Sequence, residues 1–441
     1  MRFTNKDLRR LIIPLIIEQI LAVAVGFTDS FMVSSGGDAA ISAVSLVDMT
    51  MILFINIFGA LAAGGAVIAG HYIGQQKKQE ACKAADQLIL FIAVFSVILT
   101  GLIYIFHQWI LTGVFGNITP AVMQNAKIYL LITVGSVPFI ALYNGGAAIF
   151  RVMGNSIIPM GIAWLMNGLN VIGNAILIYG FKMGVAGAAI PTLLSRMVAA
   201  VIVLILLCDE RYPVHLKKKP TFHFDKKVIK RILNIGIPNS LESSLFQLGK
   251  IMVLSLVTSF GTAAVAANAV SNTLATFQIL PGSATCLAMV TVISQCAGAG
   301  EYQQAKYYTK KIMVITYSAF LVLNVALYFL APLILGMYGI SQEAGEMART
   351  IILIHGVCAT FIWPLSFVLP NTLRAAGDVR FPMAIAIISM WTFRIGFSYV
   401  LGKYLGWGVL GIWVAMVVDW SFRSICFIGR YIGGKWQQQV I

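Results

Sequence analysis

The chain has 441 residues, of which 59% are hydrophobic and 11% charged, and its mean hydropathy is +0.87. An ordinary soluble domain carries about 25% charged residues, so a soluble enzyme, a nucleic-acid binder and a disordered scaffold are excluded, the last because disorder needs low hydrophobicity. What remains is an all-α polytopic membrane protein, and the formal net charge of +15 has to be explained by position.

A spanning helix needs roughly 20 mostly apolar residues. In chain order, apolar spans run over 9–34, 42–73, 86–107, 126–150, 158–180, 184–207, 228–259, 264–297, 310–336, 347–372, 382–402 and 408–430. The second and eighth are long enough to tilt or bend. Twelve spans place both ends on one side. The N-terminus, residues 74–86, 151–158, 208–231, 301–311 and 373–381, and the C-terminus hold 24 of the 31 Lys and Arg residues. The opposite loops hold Lys127, Lys182, Arg349 and Lys403. The positive-inside rule then predicts a multi-pass protein of the plasma membrane with both termini cytoplasmic. Its basic loops can touch anionic lipid, and no nucleic-acid partner is expected.

The first span is too long for a signal peptide and contains Glu18 and Asp29. The six cysteines form no CxxC and read as free thiols. No metal-ligand cluster, nucleotide loop or catalytic triad spacing is present, so neither an enzyme nor a cofactor is expected.

The chain repeats itself at an offset of 224 residues. Pro14 and Glu18 match Pro238 and Glu242; Gly37, Ala39, Ala40 and Ala43 match Gly261, Ala263, Ala264 and Ala267; Gly74 matches Gly298. Arg151, Gly154, Pro159 and Met160 match Arg374, Gly377, Pro382 and Met383 at 223, and Gly184, Val185 and Gly187 match Gly408, Val409 and Gly411 at 224. Each copy holds six spans, so the expected architecture is two six-helix lobes related by a pseudo-twofold along the membrane normal, a transporter layout. The boundaries read as 1–207 for the N-terminal lobe, 208–231 for a basic cytoplasmic linker and 232–441 for the C-terminal lobe. A substrate cavity between the lobes, opening to alternate sides, follows from that layout.

Charge inside a membrane is costly and marks function. Five acids, Glu18, Asp29, Asp48, Glu242 and Asp419, lie in or at the edges of spans, with three bases, Arg196, Lys250 and Arg394. The excess of two negative charges suits protons, sodium ions or organic cations. Glu18 and Asp29 are eleven residues apart, which puts them on one helix face about 16 Å apart in depth. Glu18 and Glu242 are repeat mates, whereas Asp29 maps onto Val253 and Lys250 onto Gly26, and such breaks in symmetry point to function. Lys250 is expected to pair with Glu242 or to compete with a cation for a shared carboxylate, and Arg394 to pair with Asp419. Arg196 has no obvious acid at its level. Asn167, Asn170 and Asn174 share one face of the fifth span, as sodium ligands, substrate contacts or interhelical contacts.

Together these residues resemble the multidrug and toxic compound extrusion (MATE) family. The resemblance lies in IPLIIEQILAVAVGFTDSFMVSSGGDAAISAVSL, in GIPNSLESSLFQLGKIMVLSLVTSFGTAAVAANAV, and in FRVMGNSIIPM, LRAAGDVRFPM and GVAGAAI, and it covers nearly the whole chain. It implies a monomeric twelve-helix exporter that exchanges H+ or Na+ for amphipathic, often cationic, small molecules. It assigns cation coupling to Asp29 assisted by Asn170, with Asn174 where one branch of the family has a second aspartate. Na+ would sit at Asp29, Asn170 and Asn174. Glu242 stands only four residues after Pro238, the tenth span has no acid, and Glu18 and Lys250 belong to neither described pattern. Glu242, Glu18, Lys250 and Asp48 form the candidate substrate or second coupling set. The rival is a lipid-linked precursor flippase of the same superfamily, whose cavity should be strongly cationic to hold diphosphate headgroups.

Overall fold

The computed structural model describes residues 2–114, 119–217, 223–338 and 340–439; residues 218–222 of the expected linker lie outside them. The described residues are mostly helical, and no strand occurs among them. The chain divides into two compact units, Phe3–Ser240, and Leu241–Ile441 with Met1–Arg2.

In the first unit run α1 (Asn5–Ser34), α2 (Asp38–Gly74), α3 (Lys78–Trp109), α4 (Pro120–Val134), α5 (Val137–Val152), α6 (Ile157–Asn174), α7 (Gly184–Leu207) and the start of α8 (Lys226–Thr258). The second unit takes the rest of α8, then α9 (Thr262–Gln278), α10 (Leu280–Gly298), α11 (Tyr302–Met337), α12 (Gln342–Phe361), α13 (Leu369–Ala375), α14 (Arg380–Ser389) and α15 (Gly408–Ile432). Among the described residues, ten helices are long and apolar enough to cross a membrane. Two bent pairs bring the number to twelve: α4 with α5 at 44°, and α12 with Pro364–Ala375 at 55°.

The bends follow from proline, which has no N–H and clashes with the preceding turn. Pro138 stands in the first turn of α5 and Pro364 opens the second limb of the other pair. The eighth span breaks between α9 and α10 beside Pro281. Its repeat mate α2 has Ile57 at that position and runs unbroken for 37 residues.

The repeat is also written in the backbone. Gly37 and Gly261 cap α2 and α9 at φ of 84° and 91°, and Gly154 and Gly377 turn the chain before α6 and α14 at 84° and 99°. A side chain there would be strained, so both copies keep glycine. Small residues bring helices into backbone contact, as membrane packing requires. A Cβ on Gly64 of α2 would lie 2.8 Å from the Gly236 nitrogen of α8, and one on Gly411 of α15 would lie 2.7 Å from the Gly402 nitrogen. Between α9 and α12 the core is Ala267, Val270, Leu274, Ala344, Ala348 and Ile352.

After α6 and α14 the helices loosen into π turns at Ala175–Gly180, Met390–Gly396 and Ser398–Tyr404. A π turn arises where a residue is inserted. The repeat offset changes from 223 to 224 across this same stretch of the sequence.

Candidate functional site

In the first unit α1 packs on α6, and α6 on α7. That packing brings Asp29, Asn170, Asn174 and Thr192 together. Asn174, four residues after Asn170, donates from Nδ2 to Asp29 Oδ1 at 2.7 Å. The Asn170 amide meets Asp29 on one side and Thr192 on the other, and its two orientations give two networks. In one, Nδ2 donates to Asp29 Oδ1 at 2.8 Å and Oδ2 at 3.2 Å, and its oxygen accepts from the Thr192 hydroxyl at 3.0 Å. In the other, Nδ2 donates to Thr192 Oγ1, which donates to the Ala188 carbonyl at 2.9 Å. Asn170 is 5% exposed and Asn174 1%, while Asp29 is half-buried, so the amides are fixed and the carboxylate is reachable.

Asp48 of α2 stands beside this group. Tyr129 of α4 donates to its Oδ1 at 3.2 Å. Arg196 of α7 donates to Ser136 Oγ at 2.8 Å, and its charge acts on both Asp29 and Asp48. Arg196 therefore lies within electrostatic reach of two acids on other helices, which no sequence spacing to Arg196 reveals.

Glu18 is held apart from Asp29. Arg151 of α5 pairs with it at 2.5 Å. The repeat copies this pair: Arg374 Nη2 reaches both oxygens of Glu242 at 2.7 Å, and Arg374 Nη1 donates to Asn371 Oδ1 at 3.4 Å. Glu242 therefore pairs with Arg374 and not with Lys250. The sequence held this signal, because the glutamates and the arginines were each repeat mates.

A second correction concerns Asp419. Its fully buried carboxylate accepts from Arg423 Nε at 3.0 Å and from the Ser389 hydroxyl, whereas the expected bridge to Arg394 is not formed. Arg423 lies one helical turn from Asp419 on α15, so the pair needs no neighbouring helix to form. With Arg151, Arg374 and Arg423 inside, the five acids face six bases, and the expected negative excess is gone. The first unit holds Glu18, Asp29 and Asp48 against Arg151 and Arg196. The second holds Glu242 and Asp419 against Lys250, Arg374, Arg394 and Arg423.

Among the described residues no group of three or more His, Cys, Asp or Glu could hold a metal ion. The donors around Asp29 are amide N–H groups, which satisfy a carboxylate; sodium asks for several oxygens instead.

The MatE family profile matches residues 14–176 and again 238–400, at the 224-residue offset of the repeat. The uncharacterized transporter YisQ of Bacillus subtilis is 27% identical, covering 97% of this chain and 94% of that protein. The probable multidrug resistance protein NorM of Thermotoga maritima is 24% identical, covering 99% and 94%. Among solved structures, an outward-facing multidrug resistance MATE family transporter of the MOP superfamily matches with a TM-score of 0.88 at 21% identity, covering 98% of this chain and 97% of that one. The chain belongs to the MatE family.

Proposed function

We propose that this protein is a secondary active multidrug exporter of the plasma membrane, in which protons entering at Asp29 drive amphipathic organic molecules outward by alternating access. The NorM relative is named a probable multidrug resistance protein, which supports the substrate breadth. Both termini are cytoplasmic in this reading, as the Lys and Arg distribution supports. The protein works as a monomer in contact with membrane lipid. The acids Asp29 and Asp48 of the first unit supply a preference for cationic groups.

The observation that carries the coupling is the amide pair on one carboxylate. Ionised Asp29 accepts from Asn174 and from Asn170. Protonated Asp29 gives up that need, and its O–H donates to the Asn170 oxygen. Asn170 then turns its Nδ2 to Thr192, whose hydroxyl donates its hydrogen bond to the Ala188 carbonyl. One proton thus re-sorts the hydrogen bonds between α1, α6 and α7, the two-state element that coupling requires. Na+ is the other candidate ion. It would have to turn both amide oxygens inward and leave the Asn N–H groups without the carboxylate. Gradient-driven transport in proteoliposomes under imposed pH or sodium gradients separates the two ions.

A further inference from the structure

We infer that the second unit holds a binding site for an anionic group on an aromatic body, formed by Lys250 of α8 and Arg394 of the π turn after α14 beside the ring of Phe246. The site rests on the transporter reading for its purpose, and its geometry stands without it.

Close packing brings together the two segments that carry these cations. Gly249 leaves α8 open to α14's continuation, since a Cβ there would lie 2.1 Å from the Met390 Cε. Lys250 is the next residue on α8, and Arg394 follows Met390 by about one turn. Each charge acts on its neighbours: Arg394 repels both Lys250 and the buried His355.

Neither cation has a partner of its own among the described residues. Glu242, the acid on this part of α8, is held by both oxygens by Arg374. Asp419 attracts Arg394 but is bonded to Arg423 and Ser389. The Arg394 Nε is buried with no hydrogen bond. Lys250 is exposed, and its Nζ meets only the Phe246 ring, at 5.2 Å. Arg423 lies over the other reach of that ring at 5.8 Å. Three cations and one carboxylate leave room for an added anion, and two oxygens of a carboxylate, sulfonate or phosphate fit a guanidinium by paired hydrogen bonds.

The surface for the apolar body is next to them. Phe246 meets Phe367 edge-on at 6.3 Å, Phe367 stacks on Trp363 at 4.8 Å, and Trp420 closes against Phe367 at 6.0 Å. Phe246 and Phe367 are both partly exposed. The repeat explains why this unit differs from the other. Asp29 becomes Val253 and Gly26 becomes Lys250, while Arg394 falls opposite Asn170 or Val171, according to where the inserted residue is placed. The carboxylate of one unit is thus replaced by an apolar residue in the other, and two cations appear there at positions that are uncharged in the first. A zwitterion or aromatic anion would therefore be a substrate, with the first unit attending to the proton.

The test uses the full chain purified in neutral detergent and two probes on one ring system, 2-naphthoate and 2-naphthyl-trimethylammonium, with binding read by isothermal titration. Wild type binds naphthoate, and K250Q and R394Q each weaken it about tenfold, one charge-assisted contact apiece. R394K recovers part of the loss, and the ammonium probe binds equally or more tightly in all three. Equal naphthoate affinity in wild type and K250Q overturns the site, as does a parallel loss of both probes. Lys250 is exposed, so K250Q remains decisive even where R394Q does not fold. No ion gradient is involved: D29N keeps naphthoate binding whether or not it loses gradient-driven transport, so a failed anion site and a failed coupling reading give different results.

Discussion

Asn174 donates a hydrogen bond from Nδ2 to Oδ1 of Asp29 across 2.7 Å, joining α6 to α1 over 145 residues of sequence. Asn174 is 1% exposed, so its amide cannot find water in place of the carboxylate. The bond makes the position of α1 sensitive to the charge on Asp29.

Removing that donor should weaken coupling without removing the protonatable group. N174A is expected to lower pH-gradient-driven efflux about tenfold, the scale of one charge-assisted hydrogen bond. T192V leaves Asp29 and Asn174 intact but takes away the hydroxyl that Asn170 turns to, and should slow efflux by a smaller factor. Initial efflux rates in proteoliposomes check both, and a T192V rate equal to wild type would remove Thr192 from the relay.

The two repeat-related ion pairs predict a pattern in stability. E18A removes the carboxylate that Arg151 pairs with, and breaking such a mostly buried pair costs about 3–5 kcal/mol. E18M combined with R151M removes both charges, and recovers most of the loss. Glu242 and Arg374 should behave alike, because Arg374 is bonded to both Glu242 oxygens. Thermal unfolding in detergent of the two single and two double variants is the measurement.

The start of α8 is tied to α3 by Asp225. Its Oδ1 accepts from the Lys227 and Val228 backbone N–H groups at 2.9 and 3.2 Å, and Lys83 pairs with Oδ2 at 2.6 Å. The hydrogen bond from Lys83 is the main cause that holds this carboxyl down to about 2. A depressed pKa means that the tie is fully present above the unfolded value of about 3.9 and is lost only as pH falls through about 2. Cleavage by trypsin between Lys217 and Lys226 should therefore be equally slow at pH 6 and pH 8 once corrected for enzyme rate, and faster in D225A at both. Unchanged cleavage in D225A would show that the Gln87 contacts, 2.8 Å to both the Asp225 N–H and the His223 carbonyl, suffice alone.

The spans, the repeat and the lack of an acidic repeat mate for Asp29 were legible in the sequence, because hydropathy and a 224-residue self-match are properties of the chain alone. Asn170 and Asn174 were legible as one helix face, while their link to Asp29 was implied only by the family resemblance; in the structure that face meets Asp29. What stayed hidden were partners brought by tertiary packing. Arg151 and Arg374 looked like loop arginines at the cytoplasmic rim, yet their long side chains reach inward to Glu18 and Glu242. Arg196 lies within electrostatic reach of acids on α1 and α2, and Thr192 of α7 meets Asn170 of α6, where no sequence pattern links them. Arg423 took Asp419 from Arg394 because an i,i+4 pair on one helix needs no neighbouring helix to form.

Asp29 is the centre of the account. The most direct measurement is efflux of a fluorescent organic cation from proteoliposomes, with a pH gradient and a sodium gradient imposed separately, on wild type and D29N. The account predicts transport driven by the pH gradient in wild type and its loss in D29N, with the sodium gradient driving neither. Transport by D29N at the wild-type rate under the pH gradient, or wild-type transport driven only by sodium, would contradict it.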